Sequence, residues 1–175
     1  MLRQREMTAE EFLTFADQHD DKRFDFIDGE MVEVSPKAIH GGIQSTFAIK
    51  FGMYLEHQPE LSKTYKVYTE VLHVLGGKKM MPDVCINTRT TEDYFNEVAP
   101  LVAVEIRSDS QSKAAQRRKA LAYIDNGVKL SILVFPGEGL EVYQAGRDVQ
   151  QLTYGATLEG GDVLPEFSVS VDELL

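Results

Sequence analysis

Apolar residues between positions 40 and 58 recur at Ile43, Phe47, Phe51, Tyr54 and Leu55, the spacing of a helix with one buried stripe. Gln58-Pro59 ends that helix, because the residue ahead of a proline is pushed out of the helical region. Upstream, Thr8 with Glu11 three residues on forms a capping box before Phe12, Leu13 and Phe15, which predicts a short first helix. The runs 23–27 and 30–34 alternate around Asp28-Gly29, a strong local signal for a hairpin. Downstream, residues 65–75 and 81–87 read as strands joined at Gly76-Gly77, and 101–106 as an inner strand with apolar residues on both faces. Residues 112–126 read as a helix closed by Gly127, where a left-handed residue is wanted. A buried strand at 130–135 follows, then Pro136-Gly137, two shorter strands at 140–144 and 149–154, and a tail ending in Leu174-Leu175. The pattern predicts an α/β (α+β) domain with a mixed, partly covered sheet.

Composition sharpens this picture. A length of 175 residues suits one compact domain on a prior of about 150 residues per domain. Met7 begins a natural-looking start, so residues 1–6 read as an extension ahead of a single domain at 7–175. Eighteen Lys and Arg against 28 Asp and Glu give a net charge of −10, which opposes bulk electrostatic binding of nucleic acid. A nucleic-acid function must therefore rest on a local basic patch or a bound cation. Cys85 is the only cysteine, so an intrachain disulfide and a Cys-based zinc site are excluded. His19, His57 and His73 show no ligand spacing, and Gly76-Gly77-Lys78-Lys79 lacks the pattern of a phosphate loop. No apolar run approaches the ~18 residues of a membrane span, and no signal-like stretch opens the chain; the expectation is a soluble, cytoplasmic protein.

The candidate chemistry lies where acids interrupt apolar strands. Glu105 breaks the run Leu101-Val102-Ala103-Val104, Asp83 leads Val84-Cys85-Ile86 directly after Pro82, and Asp25 sits between Phe24 and Phe26. A buried carboxylate costs several kcal/mol, to order of magnitude, unless something compensates it. A cation could do so, and oxygen ligands suit Mg²⁺ or Mn²⁺ rather than zinc. Lys119, on the helix after the Glu105 strand and one turn before Tyr123, could bring a fixed positive charge. Pairing with arginines or backbone N–H groups is the structural alternative for each acid. Lys113, Arg117, Arg118 and Lys119 form the one helical segment basic enough to contact a phosphate backbone, although such runs are usually solvated faces.

These pieces, in this order, resemble the Uma2 family, also known as DUF820, of the PD-(D/E)XK nuclease superfamily. The resemblance runs from Met7 to the C-terminus: Met7-Thr8-Ala9-Glu10-Glu11-Phe12; Asp25-Phe26-Ile27-Asp28-Gly29-Glu30; Ser35-Pro36 followed by His40; Met81-Pro82-Asp83-Val84; Val102-Ala103-Val104-Glu105-Ile106-Arg107-Ser108; and Lys119 with Tyr123, Gly127 and Val128. It implies a restriction endonuclease-like fold, a mixed β-sheet flanked by helices, with Asp83 and Glu105 on adjacent strands. By the same resemblance Asp25, Asp83, Glu105 and the Ile106 carbonyl would hold a divalent metal, and Asp83, Glu105 and Lys119 would be catalytic. Arg107 stands where the superfamily's lysine usually lies, and Lys119 takes over from the helix. His40 falls at the family's histidine near the site entrance, and with Arg107, Lys113, Arg117 and Arg118 makes up the implied substrate contacts. The chain departs from the family at Asp25 (usually Glu), Ala115 (usually an acid), Ser131-Ile132 (usually an aromatic pair) and Phe135 (often Asp).

The expectation is thus a Mg²⁺- or Mn²⁺-dependent endonuclease acting on DNA, working as a homodimer or higher homo-oligomer because cutting two strands favours two sites. The alternative is a catalytically inactive module of the same fold used for protein interaction or oligomerisation, which the net charge and the shortened Asp25 side chain favour. A hydrolase of small phosphoesters is a third option.

Overall fold

The computed structural model describes residues 37–108 and 111–175, the backbone of residues 23–27 and 30–34, and Thr8, Glu11, Thr14 and Phe15 individually. The capping box is formed: the Thr8 N–H donates to Glu11 Oε2 (2.8 Å) and the Glu11 N–H to Thr8 Oγ1 (3.2 Å). Phe12, Leu13, Asp28-Gly29 and Ser35-Pro36 lie outside the described residues. Strands β1 (Arg23–Ile27) and β2 (Glu30–Val34) pair antiparallel with Ile27 opposite Glu30, the register a two-residue turn demands. Asp25 lies on β1 opposite Val32; its side chain is outside the described set.

The central sheet has six strands in the order β11-β10-β9-β8-β6-β3. These are β3 (Tyr65–Thr69), β6 (Val84–Thr88), β8 (Val102–Ile106), β9 (Leu130–Phe135), β10 (Gly139–Tyr143) and β11 (Gln150–Leu152). Only β8 and β9 run parallel, and the helix α3 (Lys113–Asp125) connects them, as a parallel pair requires; the other neighbours are antiparallel. Helix α1 (Ala38–Glu56) covers one face. Its stripe of Ile43, Phe47, Phe51 and Leu55 packs on Val84, Ile86, Val102, Val104, Ile106, Ile132 and Val134. Burying a side chain such as Phe47 or Phe51, both fully enclosed, contributes about 1.5–3 kcal/mol. Alternate residues of the same strands face α3, where Ala103 packs with Tyr123 and Val128, and Leu133 with Ala120, Phe135 and Tyr143. The fold class is a mixed sheet flanked by helices, as expected. Gly127 closes α3 with φ +99° and Ser112 caps its start by accepting from the Ala115 N–H (3.1 Å).

Several boundaries differ from the sequence pattern. The run at 65–75 is two strands in different sheets: β3 ends at Thr69, Glu70 turns left-handed (φ 57°), and His73–Leu75 forms β4. Gly76-Gly77, both with positive φ, joins β4 to β5 (Lys78–Met80), while β3 pairs instead with β6. β6 starts at Val84, which leaves Met81, Pro82 and Asp83 ahead of the strand, since Pro82 has no N–H for a ladder. A short parallel strand β7 (Phe95–Asn96) completes the β4–β5 sheet. Pro59 opens a further helix, α2 (Pro59–Thr64), where only a helix end was expected. The C-terminal tail is a hairpin of β12 (Thr157–Glu159) and β13 (Ser168–Ser170) followed by α4 (Val171–Leu174), whose Leu158, Val169, Val171 and Leu174 join the α1 core. No helix among the described residues is long and apolar enough to cross a membrane.

Candidate active site

Antiparallel pairing sets Val84 opposite Val104, so Asp83 and Glu105 fall side by side where β6 begins and β8 ends. Both are almost fully buried, at 6% and 4% exposure. Period-two alternation explains how Glu105 comes to sit there: Val102, Val104 and Ile106 enter the α1 core, so Glu105 shares the other face with Ala103. On that face α3 supplies its partners. The Lys119 ammonium donates to Glu105 Oε2 (2.8 Å) and the Tyr123 hydroxyl to Oε1 (2.7 Å). Lys119 and Tyr123 are four residues apart, one helical turn, so both reach the same carboxylate. Lys119 is itself 3% exposed, and its charge and that of Glu105 are buried together.

Asp83 is held from the other side of the sheet. The Ile106 N–H donates to its Oδ2 (2.7 Å), and His40 Nε2, from the first turn of α1, lies 3.3 Å from the same oxygen. Burial opposes ionisation of Asp83. The His40 hydrogen bond and charge, the nearby Lys119 charge and the Ile106 amide outweigh it and hold the carboxyl below its ordinary range. His40, expected at the site entrance, is buried at 4% exposure, and its Nδ1 has no hydrogen-bond partner among the described residues. The site thus gathers His40, Asp83, Glu105, Ile106 and Lys119 from α1, the segment leading into β6, β8 and α3.

The remaining basic residues are placed differently. Lys113 pairs with Glu138, and Arg117 grips both oxygens of Glu141 through Nε (3.2 and 3.0 Å). Glu141 is kept below its usual carboxyl range chiefly by that arginine and also by the Tyr143 hydroxyl, which donates to Oε2 at 2.6 Å. Arg107 turns back on its own loop, donating from Nε to the Gln111 carbonyl (3.3 Å), with Nη1 3.9 Å from Glu138. Arg118 is exposed and makes no ion pair with a described residue. Of the four cations of this helix segment, Lys113 and Arg117 are thus neutralised by Glu138 and Glu141 of the β9–β10 hairpin and Lys119 by Glu105 of β8.

Three side chains around the site lie outside the sequence-derived set. Gln44, one turn beyond His40 on α1, donates from Nε2 to the Asp83 carbonyl (3.0 Å) and to Glu70 Oε1 (2.9 Å). The helical spacing of Gln44 and His40 was a usable signal; Glu70 had none, because the β3–β6 register alone brings it near Asp83. Gln116 is buried on α3 one turn before Lys119, with an Oε1 that has no partner among the described residues. Away from the site, His73 stacks on Phe95, donates from Nδ1 to the Val71 carbonyl (2.8 Å) and accepts from Asn87 Nδ2 at Nε2 (3.0 Å). Burial lowers its pKa to about 4, and burial pushes the Cys85 thiol beside it up to about 12. Both read as structural.

Asp83 and Glu105 supply hard carboxylate oxygens, the donors a Mg²⁺ ion takes, and such ions commonly use one or two carboxylates and keep several waters. Among the described residues no group of three His, Cys, Asp or Glu side chains is placed to hold an ion together. The donor chemistry fits an ion held by this carboxylate pair with solvent.

The family model described as "Uma2: Putative restriction endonuclease" matches residues 9–172. A crystal structure of "a putative nuclease belonging to DUF820 from Anabaena variabilis ATCC 29413" superimposes with a TM-score of 0.82 at 20% identity, covering 96% of this chain and 97% of that one. That likeness shows that the two chains share one fold. A DrdV–DNA complex aligns with a TM-score of 0.37 at 17% identity, over 59% of this chain and 9% of that one. No curated protein matches the chain. With its sequence matched from residue 9 to residue 172 and its strands and helices laid out as above, the chain belongs to the Uma2 family of restriction endonuclease-like proteins.

Proposed function

We propose that this protein is a divalent-metal-dependent endonuclease that hydrolyses phosphodiester bonds of DNA. The observation that carries the reading is the meeting of Asp83, Glu105 and Lys119, two buried acids on neighbouring strand ends and one buried amine. Asp83, Glu105 and the Ile106 carbonyl would hold Mg²⁺ or Mn²⁺, with Asp25 of β1 the remaining acid of the set. Such an ion would supply Lewis acidity and a more acidic water. The chain's own contributions follow from the geometry. His40 and the Ile106 amide orient Asp83, and keep it ionised at neutral pH. Tyr123 fixes one oxygen of Glu105 and so aims the other at Lys119. The Lys119 ammonium is a preorganised, buried cation, and charge fixed in advance in such a setting stabilises a phosphorane-like transition state most effectively. Arg118, exposed and without an ion pair to a described residue, would meet a backbone phosphate together with Arg107, and a homodimer would present two such sites to a duplex.

The test is cleavage of plasmid and linear duplex DNA with Mg²⁺ or Mn²⁺ by the full chain, and by Asp83→Asn and Glu105→Gln. Loss of cleavage of at least about a hundredfold in both variants, with circular dichroism unchanged, is the expected result. Equal cleavage by the variants would place the activity elsewhere. The second reading, a catalytically inactive module for protein interaction, is favoured by one observation: Glu138 and Glu141 neutralise Lys113 and Arg117 on a protein of net charge −10. Absence of Mg²⁺ and Mn²⁺ binding at millimolar concentration by calorimetry would select it.

A further inference from the structure

The orientation of Asp83 depends on more than its carboxylate contacts, because the peptide units on either side of it are each held by a residue from another element. On the N-terminal side, the Pro82 carbonyl accepts from the Glu70 N–H at 3.2 Å. Glu70 reaches it by adopting φ 57°, a left-handed conformation that a glutamate seldom takes. On the C-terminal side, the Asp83 carbonyl accepts from Gln44 Nε2 at 3.0 Å. The same amide nitrogen donates its second hydrogen to Glu70 Oε1 at 2.9 Å, so Gln44 uses both of its donors in joining the two pins. Peptide units are planar and rigid. Fixing the plane before and the plane after an α-carbon fixes its two soft dihedrals, and with them the direction in which the side chain leaves. Asp83 precedes β6 and has no place in the strand ladder, so these side-chain and loop contacts do what the ladder does for Glu105.

From this we infer that Gln44 and Glu70 are positioning residues for Asp83, with Gln44 acting as a crossbar from α1 between the Asp83 backbone and the Glu70 carboxylate. The inference rests on the reading of Asp83 as an acid of a metal-dependent nuclease site. His40, one turn earlier on the same helix face, sets the carboxylate, and Gln44 sets the chain that carries it.

Gln44→Met keeps the length of the side chain and removes both donors at a half-buried position, so the fold is expected to survive, as thermal unfolding will check. A misplacement of about 1 Å at a reacting group can cost up to about a hundredfold in rate. In Gln44→Met, kcat for Mn²⁺-dependent cleavage of a linear DNA duplex should fall about tenfold or more with KM within about twofold, and the Mn²⁺ dissociation constant from calorimetry should rise at least about threefold. Gln44→Lys returns a donor between the same two oxygens and should recover most of both losses. A wild-type protein that cleaves, alongside a Gln44→Met variant with unchanged kcat and Mn²⁺ affinity, overturns the positioning role and leaves the nuclease reading standing. If the wild type binds Mn²⁺ without cleaving, the Mn²⁺ affinity of Gln44→Met decides: weakened binding supports the crossbar, unchanged binding refutes it. A wild type that neither binds Mn²⁺ nor cleaves overturns the reading of the site and the inference together.

Discussion

Replacing Lys119 by methionine is the most direct test of the charge arrangement at the sheet end. Lys119 and Glu105 are 3% and 4% exposed and 2.8 Å apart, so neither charge is solvated by water to a useful degree. Methionine fills nearly the same volume, which confines the effect to the lost charge and hydrogen bond. Glu105 then stays buried without the ammonium and keeps the Tyr123 hydroxyl as a donor. Breaking a buried pair by removing one partner typically costs about 3–5 kcal/mol, because the remaining charge is uncompensated. Against a total stability of about 5–15 kcal/mol this is a large fraction. At about 2–4 °C per kcal/mol for a chain of this size, Tm should drop by roughly 6–20 °C. Thermal unfolding followed by circular dichroism reads the Tm and urea denaturation the free energy, with the double variant Lys119→Met/Glu105→Gln as the control. Neutralising Glu105 removes the buried negative charge that lost its ammonium, so the double variant should regain at least half of the loss. A single-variant cost below about 1 kcal/mol, or a double variant no more stable than the single, would show that Glu105 is not held as a desolvated anion.

Two further outcomes follow from the buried polar groups away from the site. His73 is fully enclosed and titrates at about 4 against an ordinary 6.5, so the unfolded chain takes up its proton first as pH falls. Its stabilising contribution is complete above pH 6.5 and declines as pH falls from there through about 4, by about 3 kcal/mol in total; denaturant midpoints across that range should show the decline in the wild type and lose most of it in His73→Gln. Tyr143→Phe removes the 2.6 Å hydrogen bond to the buried Glu141 carboxylate, and should cost about 1.5–3 kcal/mol in urea unfolding without altering DNA cleavage.

Much of this molecule could be read along the chain because the responsible forces are local. The α1 stripe, the β1–β2 pairing and the largely apolar strands at 102–106 and 130–135 each follow from a repeat of 3.6 or 2 residues, and all formed close to where the pattern set them. The acids were legible for the same reason: Glu105 stands out only because its neighbours demand burial. The same reasoning went wrong at 65–87, where two strands were expected and four formed. There, apolar content is similar throughout, and the decision to break at Glu70 and at Pro82 was made by which strands could pair, a long-range choice with no local mark. The C-terminal hairpin was missed likewise, since β12 and β13 are three residues each and are stabilised by the α1 core they cover.

Residue types and their spacing determined that this chain has buried carboxylates in a covered sheet and an amine on the following helix. Only the tertiary structure decided that Lys119 reaches Glu105, that His40 and Gln44 grip Asp83 from the opposite helix, and that Lys113 and Arg117 belong to Glu138 and Glu141. The physical reason is that charge pairing is set by distance in space, and the register that brings Asp83 beside Glu105 joins positions 22 residues apart in the chain through hydrogen bonds no sequence window contains.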